Sequence, residues 1–239
     1  MTKSRGSTDA LPVHMRETMK QGGLEMKKVI VLNGSPRKNR NTAQILKAAA
    51  DGARSVGAEV EYIELYDLNF TDCRSCLACK RKGIAEPCRC YWKDDISPVP
   101  ERIYKADALI VGSPIYYGEP TGVLRSLLVR ASFPAMSYST YKSTFGGEVD
   151  VAAFLTMNAP KEMYDKMYAQ KMKEYFYPFR FLNGKVSIYP VCDTLQVDDY
   201  SKYEMASFDE AHKKHMNETD FQEALETAFR IGAEMGVQE

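Results

Sequence analysis

The 239-residue sequence predicts an α/β fold: a parallel sheet of five strands with helices on both sides. Two observations carry this. Short runs of Val, Ile, Leu and Ala recur without polar alternation, as expected of strands buried on both faces. Segments of helical spacing lie between them, and such strand–helix–strand units cross over right-handed to a parallel neighbour.

The first unit is KKVIVLNGSPRKNRNTAQILKAAADGARSVGAEVEYIELYDL. Its apolar run at 29–32 stops at Asn33-Gly34. Residues 42–55 then place Ile45, Leu46, Ala49 and Ala53 at helical spacing, and 60–65 reads as the second strand. A short helix is expected at 96–104, a third strand at 108–112, a loop at 113–119 and a helix at 122–131. A fourth strand follows at 151–156. Residues 160–183, rich in Met, Tyr and Phe, read as a helix plus a packing segment. The fifth strand spans 185–191, and helices close the chain at 203–214 and 219–236. Residues 1–26 are polar without period and read as an extension to a single domain over 27–239. Five strands in this alternation fit a flavodoxin-like three-layer sandwich of order 2-1-3-4-5. That order places a ligand site outside the carboxyl ends of the strands, beside the switch point between strands 1 and 3.

Composition narrows the function classes. Lys+Arg and Asp+Glu both number 32, so the basic excess of a nucleic-acid or membrane-surface protein is missing. No apolar run approaches the ~20 residues of a membrane helix. The first 26 residues lack the apolar core of a secretory signal. The expected setting is cytoplasmic, where thiols stay reduced, which turns attention to metal binding or redox chemistry at the cysteines.

The loop after the first strand, NGSPRKNRNT, offers Ser35, the guanidinium of Arg37, and Asn41 and Thr42 at the helix start, one of them as N-cap. Free N–H groups and the helix dipole favour an anion there, most naturally a phosphate. The loop lacks GxGxxG and GxxxxGK[ST], which disfavours a dinucleotide fingerprint or an NTPase loop. After the third strand, GSPIYYGEPTG places Pro114, Ile115, Tyr116, Tyr117 and Gly118 where a flat ring can find an apolar face and backbone donors. Met157 and Asn158, after the fourth strand, reach the same edge. A phosphate plus a flat redox ring points to FMN.

GSPRKNRNT followed by SPIYYGEPTGVLRSLLVR resembles the NADPH-dependent FMN reductase family of flavodoxin-like proteins over residues 27 to about 135. The resemblance implies that Ser35, Arg37, Asn41 and Thr42 bind the FMN phosphate. It implies that Pro114 to Gly118 cradle the isoalloxazine, with Met157 and Asn158 beside it. Many relatives have Asp where this chain has Val129, before the Arg matched by Arg130; the difference bears on a subunit contact near that helix.

Five of the six cysteines fall within CRSCLACKRKGIAEPCRC, residues 73–90. Three readings of the residues stand beside an iron–sulfur cluster: a zinc loop, although zinc favours paired C-x2-C knuckles; a thiol redox pair of Cys88 and Cys90; and a loop with incidental cysteines. C-x2-C-x2-C at Cys73, Cys76 and Cys79 resembles the motif of the iron-sulfur flavoproteins, a branch of the same family. Such a loop turns successive thiolates onto different irons of a cubane and takes its fourth ligand from downstream. The branch often reads Cys, three residues, Asp-Asp; CYWKDD matches Cys90 that way, with Asp94 and Asp95, and Cys88 is the alternative. The interval from Cys79 is longer than the branch usually has. Lys80, Arg81, Lys82 and Arg89 surround the segment with positive charge.

The resemblance implies an oxidoreductase using FMN and one [4Fe–4S] cluster, linking a one-electron donor to a two-electron acceptor; the positive charge around the loop suits an acidic donor such as ferredoxin. It also implies a homodimer or homotetramer. The alternatives are an NAD(P)H-dependent FMN or quinone reductase without a cluster, and a flavodoxin-fold binding protein with a zinc loop. Cys192 reads as a packing residue. His212 and His215 share a helix face with no partner placed by sequence, and YFYPFRFL at 175–182 reads as core or subunit interface.

Overall fold

The structure is a computed structural model that describes residues 26–83 and 85–237. The expected extension therefore lies, Met26 apart, outside the described residues. The five long strands are β1 (Lys28–Asn33), β2 (Glu59–Glu64), β3 (Ala108–Tyr116), β5 (Val149–Thr156) and β6 (Asn183–Val191). They pair parallel in the order β2-β1-β3-β5-β6, so the expected order of the parallel strands holds. Strand β1 shows why the apolar runs lack alternation. Val29 and Val31 face one core with Ile45, Leu46 and Ala49 of α1 (Asn41–Ser55). Ile30 and Leu32 face the other core, with residues of α2 (Pro98–Ile103) and α3 (Gly122–Ser132).

The sheet has six strands rather than five. β3 does not stop near Gly112 but continues through Tyr116, and Glu119–Pro120 pairs back on it as β4. Ser113 and Pro114 stay in register with Leu155 and Thr156 of β5. Tyr117 and Gly118 then turn the chain with φ of 50° and 77°. Two successive left-handed residues make the hairpin turn whose twist matches the strands. The sequence expectation took Pro114 as a loop residue, but β5 holds the segment extended.

The segment after β5 runs through α4 (Lys161–Met163), a π-helical turn (Tyr164–Tyr168), α5 (Ala169–Phe176) and a 3₁₀ stretch (Tyr177–Leu182) into β6. Phe176, Phe179, Phe181 and Leu182 are buried, so most of the aromatic run is core; Tyr177 is exposed. The helix expected at 203–214 forms instead as α6 (Glu210–Glu218). Asp209 sets its start by accepting from His212 N at 3.1 Å, a capping signal that the apolar spacing of 203–208 obscured. The last helix, α7 (Asp220–Gly236), packs on α1 at glycines. A Cβ on Gly52 would lie 1.9 Å from Phe229 O, and one on Gly232 1.8 Å from Ala49 O.

Candidate functional site

The carboxyl edge of β1, β3 and β5 forms a cleft lined by Ser35, Arg37, Arg40, Asn41, Thr42, Pro114, Ile115, Tyr116, Thr156, Met157, Asn158, Thr194 and Gln196. Nine of the eleven residues singled out in the sequence for FMN therefore meet in one place. Tyr117 and Gly118 do not line it: they form the hairpin turn, with Tyr117 fully exposed and Gly118 against the Tyr168 ring.

The phosphate loop is built by local bonds. Asn33 Oδ1 accepts from Ser35 N at 3.0 Å, and Ser35 Oγ accepts from Arg37 N at 3.2 Å. Gly34 sits between loops, donating its N–H to Gly112 O at 2.7 Å and accepting from Thr121 Oγ1 at 2.7 Å. The N-cap of α1 is Arg40, not Asn41 or Thr42. No side chain caps this helix and its first turn holds no acid. The first-turn N–H groups have no intrahelical acceptor, so their partial positive charge is left for an anion. Asn41 instead donates to Leu195 O at 2.9 Å, and Thr42 Oγ1 meets Thr156 Oγ1 at 2.7 Å. The donor set of the cleft fits a phosphate.

Sequence reasoning missed Arg40, Thr156, Thr194 and Gln196. The last two sit on the loop that follows β6, which crosses the phosphate loop. Arg37 donates to Gln196 O at 2.8 Å, and Arg40 forms a two-pronged pair with Asp198 at 2.5 and 2.7 Å. Asn158 Nδ2 donates to Gln196 Oε1 at 3.0 Å, while its Oδ1 is buried without a partner. Asp193, His212 and Lys213 anchor this loop from behind: His212 Nε2 meets Asp193 Oδ2 at 2.7 Å, and buried Lys213 bonds Asp193 and Asn158 O. Burial pushes the Asp193 carboxyl up, but the Lys213 and His212 contacts outweigh it and hold it below the usual range. His212 is thus a loop anchor. Cys192 is half-buried against the core, its thiol pushed up to about 11 chiefly by burial.

A second, narrow cavity is lined by Cys73, Cys76, Cys79 and Cys90 together with Trp92, Val129, Arg130 and Phe133 among others. Cys88 faces elsewhere, lining a separate cleft with Tyr104, Thr144 and Phe145. Backbone geometry produces the split. Ser75 and Leu77 take φ of 54° and 55°, so the chain reverses between successive thiols, and Cys88 takes 61°. Such values are uncommon away from glycine. Burial pushes the Cys79 thiol up, the Lys80 ammonium opposes this, and the Cys90, Cys73 and Cys76 thiols add to the rise. For Cys88 the rise is again from burial, with Thr144 opposing.

The Asp94-Asp95 pair has a structural role. Asp95 Oδ2 accepts from Asn69 N at 2.8 Å and Asp94 Oδ2 from Thr71 N at 3.3 Å, which ties the Cys90 side of the segment to the chain leaving β2. Arg130, buried at 2% exposure, bonds Asp94 Oδ2 at 2.5 Å beneath them. Of the basic residues expected to fringe the loop, Lys80 is partly buried and tied down: its ammonium donates to Phe133 O at 2.5 Å and to Met136 O. Arg89 pairs with Glu86 at 2.6 Å.

Among the described residues no three His, Cys, Asp or Glu side chains converge closely enough to hold a single metal ion. A cubane spreads its four thiolates over separate irons, and four cysteines around one cavity are the donor set it needs.

The sheet order and the cleft at its switch point define a flavodoxin-like α/β protein. Within that class, the chain belongs to the NADPH-dependent FMN reductase family, whose model matches residues 27–158. An iron-sulfur flavoprotein of Archaeoglobus fulgidus is 37% identical over 109 residues, 46% of this chain and 51% of that protein. One of Methanocaldococcus jannaschii is 33% identical over 126 residues, 53% of this chain and 62% of that protein. The chain thus spans between half and two thirds of these curated relatives. An NAD(P)H:quinone oxidoreductase from Methanothermobacter marburgensis shares the fold with a TM-score of 0.65 at 17% identity, over 90% of this chain and 100% of that one. An azoreductase from Bacillus anthracis does so with 0.59 at 11%, over 87% and 100%. No helix among the described residues is long and apolar enough to cross a membrane.

Proposed function

We propose that this protein is an FMN-dependent oxidoreductase that also carries a [4Fe–4S] cluster, linking a one-electron donor such as ferredoxin to a two-electron acceptor. The observation that carries this reading is the grouping of Cys73, Cys76, Cys79 and Cys90 around one cavity, apart from Cys88. The names of the relatives from Archaeoglobus fulgidus and Methanocaldococcus jannaschii point the same way.

In this reading Ser35, Asn41 and Thr42 hold the FMN phosphate, with Arg37 and Arg40 supplying positive charge. Pro114, Ile115, Tyr116, Met157 and Asn158 would hold the ring, with the unpartnered Asn158 Oδ1 as an acceptor available to it. When bound, the flavin exchanges one or two electrons and the cluster one, which is the chemistry that joins the two kinds of partner. The chain's own residues position both groups; no side chain is assigned as a proton donor. The working assembly in this reading is a homodimer or homotetramer in the cytoplasm, with the cysteine cavity of one chain near the FMN cleft of another.

Anaerobic purification followed by iron, acid-labile sulfide and flavin assay tests the reading. The expected result is a brown protein with roughly four iron and four sulfide per FMN. A yellow protein with flavin and no iron, oxidising NADPH rapidly, gives the cluster-free reductase instead. Zinc at about one per chain with no sulfide and no flavin gives the binding-protein reading.

A further inference from the structure

We propose that Arg130 is a positioning residue for the fourth cluster ligand: its Nε–H donates to the Cys90 sulfur, selecting Cys90 over Cys88 and raising the cluster's reduction potential. The inference rests on the proposed function and extends it to a residue outside the cysteine motif.

A guanidinium carries five N–H groups and cannot lose its charge in a protein. In Arg130, Nη1 donates to Thr71 O at 3.2 Å and Asp94 Oδ2 at 2.5 Å. Nη2 donates to Trp92 O at 3.2 Å and Ser97 Oγ at 3.3 Å. Four donors are thereby used, by partners from both sides of the cysteine segment. The fifth, on Nε, is buried and meets no partner at full hydrogen-bond geometry, although the guanidinium lies near enough to the Cys90 sulfur to interact with it. A buried donor left unmade is costly, and native structures seldom keep one without a reason.

Arg130 lines the same cavity as the four thiols, and the Cys90 thiol lies beside its guanidinium. A neutral thiol is a poor acceptor, whereas a metal-bound thiolate is a charged one. The leftover donor therefore matches the ligated state of Cys90. Cys88 lies outside that cavity: it neighbours Thr144 in the other cleft, and the Lys80 ammonium acts on it only through its charge. Hydrogen bonds to the sulfurs are among the factors that set a cluster's potential. A cationic donor stabilises the added negative charge of the reduced state, so it raises that potential.

The test uses the full-length holoprotein prepared anaerobically. Arg130→Lys keeps the charge and removes Nε–H. The expected result is a lower cluster midpoint in an EPR-monitored redox titration. At fixed poise the reduced-to-oxidised ratio falls about tenfold, which is 59 mV for one electron. The Fe–S stretches in resonance Raman also move. A purely structural Arg130 lowers thermal stability and leaves potential and stretches unchanged, and that result overturns the proposal. Because a buried arginine is replaced, a second measurement needs no variant. Wild-type protein labelled with 15N-arginine is reduced and examined by HYSCORE, with Arg74→Lys and Arg89→Lys as controls. A 15N coupling to the cluster that survives both controls supports the proposal; its absence overturns it. Failure of the underlying reading has a different signature, a wild-type protein that holds no iron or sulfide, and it removes this inference as well.

Discussion

Cys88 and Cys90 are separated by one residue, yet they face different cavities. The left-handed backbone at Cys88 directs its thiol toward Thr144 and leaves Cys90 beside Arg130. Cys90→Ala is expected to lose most of the iron and sulfide per chain, whereas Cys88→Ala keeps wild-type content; equal content in the two variants counts against the split. Asp94 makes a second single-residue case. Burial pushes its carboxyl up, but the Arg130 guanidinium, the Thr71 N–H and the Ser97 hydroxyl outweigh it and hold it below the usual range. A depressed folded value means that Asp94 contributes stability above the ordinary carboxylate pKa of about 3.9, and that this is lost as pH falls through the folded value. Removing one partner of a buried pair leaves the other charge uncompensated. Asp94→Asn should therefore cost about 3 kcal/mol at pH 7 in urea unfolding, and the gap from wild type should narrow below about pH 4.

At the scale of elements, the contact between α1 and α7 shows why glycines sit inside two helices. Each costs helix propensity relative to alanine, by up to about 1 kcal/mol. Gly52 and Gly232 accept that cost because each lets the opposite helix's backbone approach to a distance no Cβ allows. Gly232→Ala is expected to destabilise the protein by about 1–3 kcal/mol despite the gain in propensity, since backbone atoms of Ala49 cannot move aside cheaply. Gly122→Ala, with nothing within 4 Å of its added Cβ, should stay within about 0.5 kcal/mol of wild type. Chemical denaturation of the two variants checks the pair. The Tyr117-Gly118 hairpin follows the same logic: its two left-handed residues carry β3 back on β4 and leave Ile115 and Tyr116 at the cleft.

For the whole molecule, the cleft joins elements from both ends of the described chain. The phosphate loop follows β1, while the loop crossing it follows β6, so an occupant of the cleft contacts the first and last parallel strands' connections at once. Binding to the folded state alone stabilises by mass action, about 2.7 kcal/mol at a hundredfold excess over Kd. For a chain of this size that is a rise of roughly 5–10 °C in melting temperature. FMN added to flavin-depleted protein is expected to produce such a rise, and Arg37→Ala with Thr42→Val to remove most of it; no shift with FMN would exclude the cleft as its site.

Much of this was legible in the sequence. Apolar runs and helical spacing are local signals, and they predicted the parallel strands in their observed order. NGSPRKNRNT and SPIYY are contiguous motifs, and nine of the residues singled out in them and in the β5 loop share one cleft. The cysteine triple was visible in its spacing. Tertiary structure decided what depends on distant partners: Arg130 with Asp94 across 36 positions, and Arg37 with Gln196 across 159. It also separated Cys90 from Cys88, extended β3 into a hairpin and moved the cap of α1 to Arg40. Periodicity and motif spacing report how a segment meets its own neighbours along the chain. Which loop crosses a cleft, and which buried donor is left over beside a thiol, follow only when the sheet order brings remote segments together.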